Sequence, residues 1–490
     1  MKTESVLVNN RIHLKRLELL DLRRTGSIGD IVSAFEKCAF TAAMVGETAK
    51  TWSSWLKARA LPVAVYDGKT DNRIFSLLKT MKNEGLIEEV VSPAYFVGWK
   101  KKTKTAVVIG TFSERHADAL YANLERAIYI NPYGIAPPGL VRDGYYPDVI
   151  FADPYFSLSL LAAALGEWQG GKAVGGWEFL ETLDDHEGLA GEVKEAAKIL
   201  ELMVKDPDCT VLLTVSGAMT PAQMSLVICD MIDLGMVDAV LTTGAAMAHG
   251  LVPSIGLCHY KYDPRMDDVI LSKHRLNRIT TLIEPETNFD AVEEVVDTVF
   301  QTMSGDGPKS SIEVHRRIGE YLSRQHPDER GILKSAFEKG IPVCSPAFQD
   351  SEVGNDKLIH NLKRKGVSRE RILVDQELDT LELIELIQRK PRMAIFHVGG
   401  GTPGNHARNL APLIEIVIER LGADCPWEIR KIRYGVKIAP DQNWLGSYGG
   451  CTWNEAKSWR KAELNGRFAD VHADATLVWP IIVKAVMEKL

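Results

Sequence analysis

The sequence lacks the marks of several protein classes. Only seven of its 490 residues are cysteine: Cys38, Cys209, Cys229, Cys258, Cys344, Cys425 and Cys451. They are scattered, odd in number and never paired as C-x-x-C. That argues against a disulfide framework and a zinc ribbon, and it suits a reducing cytoplasm. No stretch approaches the ~18 uninterrupted apolar residues of a membrane span. No apolar run follows Met1 to Ser5, so no secretory signal and no membrane partner are expected. Positive charge is not in surplus: the formal net charge is −7. A general nucleic-acid binder needs a basic face for phosphates, so nucleic acid is not an expected partner. The densest basic run, Lys100-Lys101-Lys102 with Lys104, reads as a solvated loop. Internal repeats and low-complexity tracts are absent too, which leaves no sign of a solenoid.

What is present is ordinary globular material, 45% hydrophobic and 25% charged. The chain is longer than a typical domain of ~100–200 residues and can bury a large core. Thr210 to Val215 reads as a buried strand ending in Ser216-Gly217. Pro221 to Leu234 reads as a helix, with Met224, Val227, Ile228, Met231 and Ile232 on one face. Val237 to Thr242 is the next strand, ending in Thr243-Gly244. Pro342 to Pro346 and Met393 to Val398 are two more, the second running into Gly399-Gly400-Gly401. This succession predicts a doubly wound, mostly parallel α/β sheet. Ligands of such sheets collect at the carboxyl ends of the strands, where these glycine and Ser/Thr clusters fall. Residues 55–205 have another texture. Val63 to Tyr66, Ala106 to Gly110 and Asp148 to Phe151 read as strands, and Ser113 to Ile128 and Glu192 to Val204 as helices. Pro137-Pro138-Gly139 and Gly170-Gly171 mark loops, and Ser304 to Lys309 a flexible connector.

The last third carries the chemistry. Glu455-Ala456-Lys457-Ser458-Trp459-Arg460-Lys461 places a carboxylate, an indole and an amine together. His472-Ala473-Asp474-Ala475 follows and opens an apolar helix. Each residue also has a plain structural reading. Lys461 can be a surface residue, Trp459 a core aromatic and Asp474 a helix N-cap. Gly399-Gly400-Gly401 does not match G-x-G-x-x-G and can be a tight turn. His249, His397 and His406 read as hydrogen-bonded structural histidines. His249, Cys258 and His259 lack a metal-ligand spacing, so no metal is expected.

The two motifs, in this order, resemble those of the deoxyhypusine synthase family. There a Ser-Trp-Gly-Lys motif bears the catalytic lysine, and the aspartate of a following Tyr-Ala-Asp-Ala contacts NAD. The spacing from Lys461 to Asp474 matches without a gap. Ser345-Pro346-Ala347 with Asp350 is similar to the family's Ser-Pro-Ala-x-x-Asp. Met236-Val237-Asp238 with Thr242-Thr243-Gly244 resembles the strand and loop that hold NAD. Gly399-Gly400-Gly401 with Asn409 resembles the loop leading to the amine-binding helix. The resemblance covers residues 205–490 well and 25–50 weakly. It implies a Rossmann-like fold of the synthase type. Residues 1–54 would open the core, 55–205 would be a large α/β insertion, and 206–490 would be the NAD-binding and catalytic core. It implies NAD on Thr243, Gly244, Asp350, Gly399, Gly400 and Asp474. Catalysis would fall to Lys461, Glu455, Trp459, Asn405 and His406, and amine binding to Asn409, Tyr448 and Asn355. It also implies a homo-oligomer, dimer or tetramer, with shared active sites.

The chemistry suits these residue types. An amine is not displaced from an unactivated carbon, but removal of hydride to NAD makes an electrophilic imine. A neutral lysine can then take over the carbon fragment, and it needs a dry pocket to shed its proton. Trp459 would offer an apolar wall and a cation–π face, and Glu455 a site for a cationic nitrogen. The departures from the family lie on the amine side. Asn405 stands where the family has a histidine, Tyr448 and Asn355 where it has aspartates, and His249 where it has a glutamate. Arg460 replaces the glycine before the lysine. Each lost carboxylate weakens the capture of a polycation. An unusual or small amine is therefore expected, with a protein lysine or a small amine such as putrescine as acceptor, the latter giving homospermidine. Two other readings stay open: an amine dehydrogenase with a structural Lys461, and a non-catalytic NAD- or polyamine-binding protein.

Overall fold

The computed structural model describes residues 7–8, 11–12, 14–69, 71–97, 103–110, 124–130, 148–150, 153–184, 188–263, 265–303, 307–364 and 371–490. The run Lys100-Lys101-Lys102 and the loop Pro137-Pro138-Gly139 lie outside them, as does the first half of the Ser304 to Lys309 connector.

A six-stranded sheet organises the second half. Its strands in chain order are Cys209–Val215, Ala239–Leu241, Val343–Cys344, Arg392–Val398, Ile432–Ile438 and Ala462–Val471. All neighbours pair in parallel. Cys209–Val215 is buried at every residue, as an apolar, β-branched run covered on both faces must be. Counted in chain order, the strands run 3-2-1-4-5-6 across the sheet. The order reverses between Cys209–Val215 and Arg392–Val398, which defines a crevice at their carboxyl ends. Helix Ala475–Met487, apolar almost all round, is buried under the sheet and packs on helix Gly188–Lys205.

Residues 63–150 hold a second parallel sheet, Val63–Tyr66, Val90–Val91, Thr103–Ile109, Leu124–Ile130 and Asp148–Ile150, in the spatial order 2-1-3-4-5. The helix expected over Ser113 to Ile128 is corrected here. Its last residues form strand Leu124–Ile130, drawn into register with Thr103–Ile109. Ladder pairing has overridden a helix-like spacing, while residues 111–123 lie outside the described set. A small antiparallel sheet joins Lys15–Arg16, Tyr260–Lys261, Leu276–Ile279 and Leu282–Pro285.

The helix expected from Pro221 starts later, at Ser225–Asp233. A wide turn, Thr220–Met224, precedes it, with Gln223 at φ 75°. The Gln223 side chain donates to Pro221 O at 2.7 Å, and its carbonyl accepts from Leu20 N–H at 3.0 Å. These bonds hold a left-handed residue that L side chains otherwise avoid. All seven cysteines are free. Among the described residues, no helix is long and apolar enough to cross a membrane.

Candidate active site

The crevice is built from backbone. Strand Cys209–Val215 ends in Ser216, whose N–H donates to Val398 O at 2.9 Å. Strand Arg392–Val398 ends in Gly399 and Gly400, at φ 56° and 80°. A Cβ on Gly400 would lie 3.0 Å from Ser216 Cα, so glycine is required by both angle and space. Helix Gly401–Leu421 begins there with no side-chain cap on its first N–H groups. Uncapped N–H groups beside a close backbone approach suit a pyrophosphate.

Thr243 caps the neighbouring helix Gly244–Ser254, its Oγ1 accepting from Ala246 N–H at 3.2 Å. Gly217 and Gly244 pack so closely that a Cβ would meet Thr243 Oγ1 at 2.7 Å and Ser351 Oγ at 2.3 Å. Asp350, exposed, stands next to Ser351. Asp474 caps helix Ala475–Met487, its Oδ1 accepting from Thr476 N–H at 2.9 Å and from the Thr476 hydroxyl. The capping reading of Asp474 is thus a fact of the structure. It does not exhaust the carboxylate, because both bonds end on Oδ1.

Beside the crevice is an open cleft lined by Pro346, Gly401, Thr402, Asn405, His406, Asn409 and Tyr448. Lys461 is partly buried at its edge. Its Nζ donates to Asn405 Oδ1 at 3.4 Å and lies 5.6 Å from the Trp459 ring centroid. Burial first, and then the positive Arg408, lower its pKa from the ordinary lysine value. Trp459 is 64% exposed, so it is not a core aromatic. Glu455 is exposed in the first turn of helix Trp453–Ser458, where it hydrogen-bonds the Cys451 thiol. Burial lowers the pKa of His406, leaving a neutral imidazole in the lining. Asn355 stands exposed on helix Glu352–Lys363 and is not among the described residues that line the cleft.

Several residues here escaped the sequence reading. Arg408 is buried behind Tyr448, 4.0 Å from the Trp453 ring and 5.5 Å from the Tyr448 ring. Its Nε and Nη2 have no hydrogen-bond partner among the described residues. Lys437, fully buried, donates to Gly449 O at 2.7 Å and Cys451 O at 3.1 Å and pairs with Asp470 at 3.3 Å. It thereby ties down the loop that carries Tyr448. A lysine inside the apolar strand Ile432–Ile438 was the available signal. Burial pushes the Tyr448 hydroxyl up to about 12, so it stays protonated. Arg460 adopts φ 59°, the left-handed conformation that glycine takes freely. Ion pairs to Glu415 at 3.2 Å and Glu419 at 3.8 Å hold its side chain.

Strand order, glycine crevice and uncapped helix define a doubly wound α/β protein, with a lysine-edged cleft beside the crevice. The sequence model of the family described as deoxyhypusine synthase matches residues 179–486, more than half of the chain. The chain belongs to the deoxyhypusine synthase family. It is 31% identical over 312 residues to probable deoxyhypusine synthase 1 of Archaeoglobus fulgidus, covering 64% of this chain and 94% of that relative. It is 30% identical to probable deoxyhypusine synthase 2 of Methanosarcina mazei, covering 61% and 82%. To the deoxyhypusine synthase-like protein of Chlorobaculum parvum it is 29% identical, covering 62% and 84%.

Proposed function

We propose that this chain is an NAD-dependent transferase that moves an aminoalkyl group between amines through an imine on Lys461. The observation that carries the reading is a lysine of lowered pKa, bonded to Asn405 at the edge of an amine-sized cleft. The crevice glycines, Ser216 and the uncapped helix fit a dinucleotide, with Thr243, Asp350 and Asp474 at neighbouring strand ends. Bound there, NAD would supply reversible hydride acceptance.

The residues do the rest. Asn405 Oδ1 orients the Lys461 amine, whose neutral form attacks the activated substrate carbon. The carbon–nitrogen bond to the leaving amine breaks, and that amine takes a proton. His406, neutral and in the lining, is a group suited to carrying one. The acceptor amine then attacks the Lys461 imine and frees the lysine. Hydride removed at the start is returned at the end, so no net redox change results.

The amine differs from the polycation that the family's carboxylates would hold. Tyr448 carries no charge, and the buried Arg408 adds a positive one behind the cleft. This arrangement favours an amine with fewer positive charges, and a small amine as acceptor. A homo-oligomer completing the cleft from a second copy is part of the same reading. The test mixes protein, NAD and candidate amines, adds borohydride and reads intact mass. A stable adduct on Lys461, with no steady release of NADH, is expected. Lys461→Arg cannot form an imine and should give no adduct. An arginine variant that still transfers at the wild-type rate would overturn the covalent route, and continuous NADH release would favour a dehydrogenase.

A further inference from the structure

Away from the cleft, three metal-ligating side chains converge from three elements. His249 lies on helix Gly244–Ser254, His259 just before strand Tyr260–Lys261, and Glu284 on strand Leu282–Pro285. One ligand atom from each lies within 4.8 Å of the other two. His259 and Glu284 are buried, at 1% and 0% exposure. Sequence spacing could not show this group, because Glu284 is remote and Cys258, the neighbour in sequence, is not part of it.

We propose that His249, His259 and Glu284 form a binding site for a divalent transition-metal ion, zinc above others. His249 Nδ1 lies 3.1 Å and His259 Nε2 2.5 Å from the same oxygen, Glu284 Oε2. Ligands of a tetrahedral ion with bonds of ~2.0–2.1 Å stand about 3.3 Å apart. The first separation already fits, and the second has only to open by less than an ångström. His259 Nε2 stands 2.5 Å from Glu284 Oε2 and makes no well-directed hydrogen bond. A fully buried ring nitrogen thus aims into the group without a partner.

The surroundings suit an ion. Asn288 donates to the other carboxylate oxygen, Oε1, at 2.5 Å and to Cys258 O at 3.0 Å. That fixes Glu284 as a one-oxygen ligand, the usual task of an outer partner. Two histidines and one carboxylate leave a fourth position for water. The ion would strap the helix that begins at Thr243 to the small antiparallel sheet.

The competing arrangement has protons alone, with both imidazoles donating to Glu284. Gln223 Nε2, which donates to Pro221 O, also lies 3.3 Å from His259 Nδ1. Metal analysis separates the two. Untagged full-length protein, dialysed against metal-free buffer, should retain about one zinc per chain. Cobalt loading should give the intense visible bands of a four-coordinate N/O site. Asn288→Ala should weaken zinc binding by about 10–100-fold. Glu284→Gln/His249→Gln, checked for folding by circular dichroism, should lose the ion and the cobalt bands. Protein that neither retains zinc nor shows cobalt bands overturns the site. So does a folded double variant that keeps its ion. Should the variants not fold, the wild-type cobalt spectrum alone decides.

Discussion

Lys437→Met removes one ammonium group and little volume, and its effect can be worked from the structure. Lys437 Nζ donates to Gly449 O and Cys451 O, at 2.7 and 3.1 Å, and faces Asp470 Oδ1 at 3.3 Å. That oxygen has no hydrogen-bond partner among the described residues. Without the ammonium, a carboxylate and two carbonyls lose their counterpart in a dry place. Breaking a buried pair costs about 3–5 kcal/mol. The Asp470 side chain keeps 22% exposure, so water softens the loss and the lower end, about 3 kcal/mol, is expected. Urea unfolding followed by tryptophan fluorescence measures it as a lowered midpoint at constant slope. Adding Asp470→Asn removes the stranded charge while keeping an acceptor for Trp453 N–H. The double variant should recover most of the loss. A single variant that loses less than about 1 kcal/mol, or a double variant showing the plain sum of both losses, refutes the reasoning.

Asp474→Asn separates capping from cofactor binding, because asparagine caps as well as aspartate. Stability should hold while NAD affinity falls by about 1.5–3 kcal/mol, read by calorimetry; unchanged affinity leaves only the cap. The Lys461 pKa is lowered, so the fraction of neutral amine grows as pH rises and levels off above a folded pKa that lies below 10.5. Adduct formation should follow that curve, and Arg408→Met should move its rise to higher pH; an unmoved curve rejects the electrostatic role of Arg408. Arg460→Gly relieves the left-handed backbone, worth about 1–2 kcal/mol, and loses exposed ion pairs worth about 0.2–1 kcal/mol. Its urea midpoint should stay level or rise, and putrescine should be captured better once a positive charge beside Lys461 is gone.

The parts legible in sequence are those written in local pattern. Cys209–Val215 is a β-branched run and Met393 to Val398 a mostly apolar one, and the glycines that follow them mark strand ends, as Thr243 does after Ala239–Leu241. The crevice needed more, since the 3-2-1-4-5-6 order is a property of pairing and not of any one segment. Leu124–Ile130 shows the same limit, for its partner Thr103–Ile109 decides between helix and strand. Arg408 and Lys437 were overlooked because charged residues are ordinarily solvated. Only the folded chain shows that both are buried behind the Tyr448 loop.

The two sides of the site are specified by different physics. In the crevice, glycine angles and close backbone approach set the shape. Gly400 against Ser216 and Gly244 against Ser351 leave no room for side chains, so these positions are fixed by the backbone. Around the cleft at Lys461, charge is carried by side chains, which can change without disturbing the backbone. Tyr448 illustrates this: its ring packs against His397 and Arg408, and Lys437 fixes the loop that holds it. An aspartate there would sit beside Arg408 as a buried ion pair; the tyrosine instead leaves the guanidinium stacked on rings. Arg408 and Tyr448 are therefore a coupled choice. Behind the cleft, Arg408 adds its positive charge to burial, the larger cause, in lowering the Lys461 pKa.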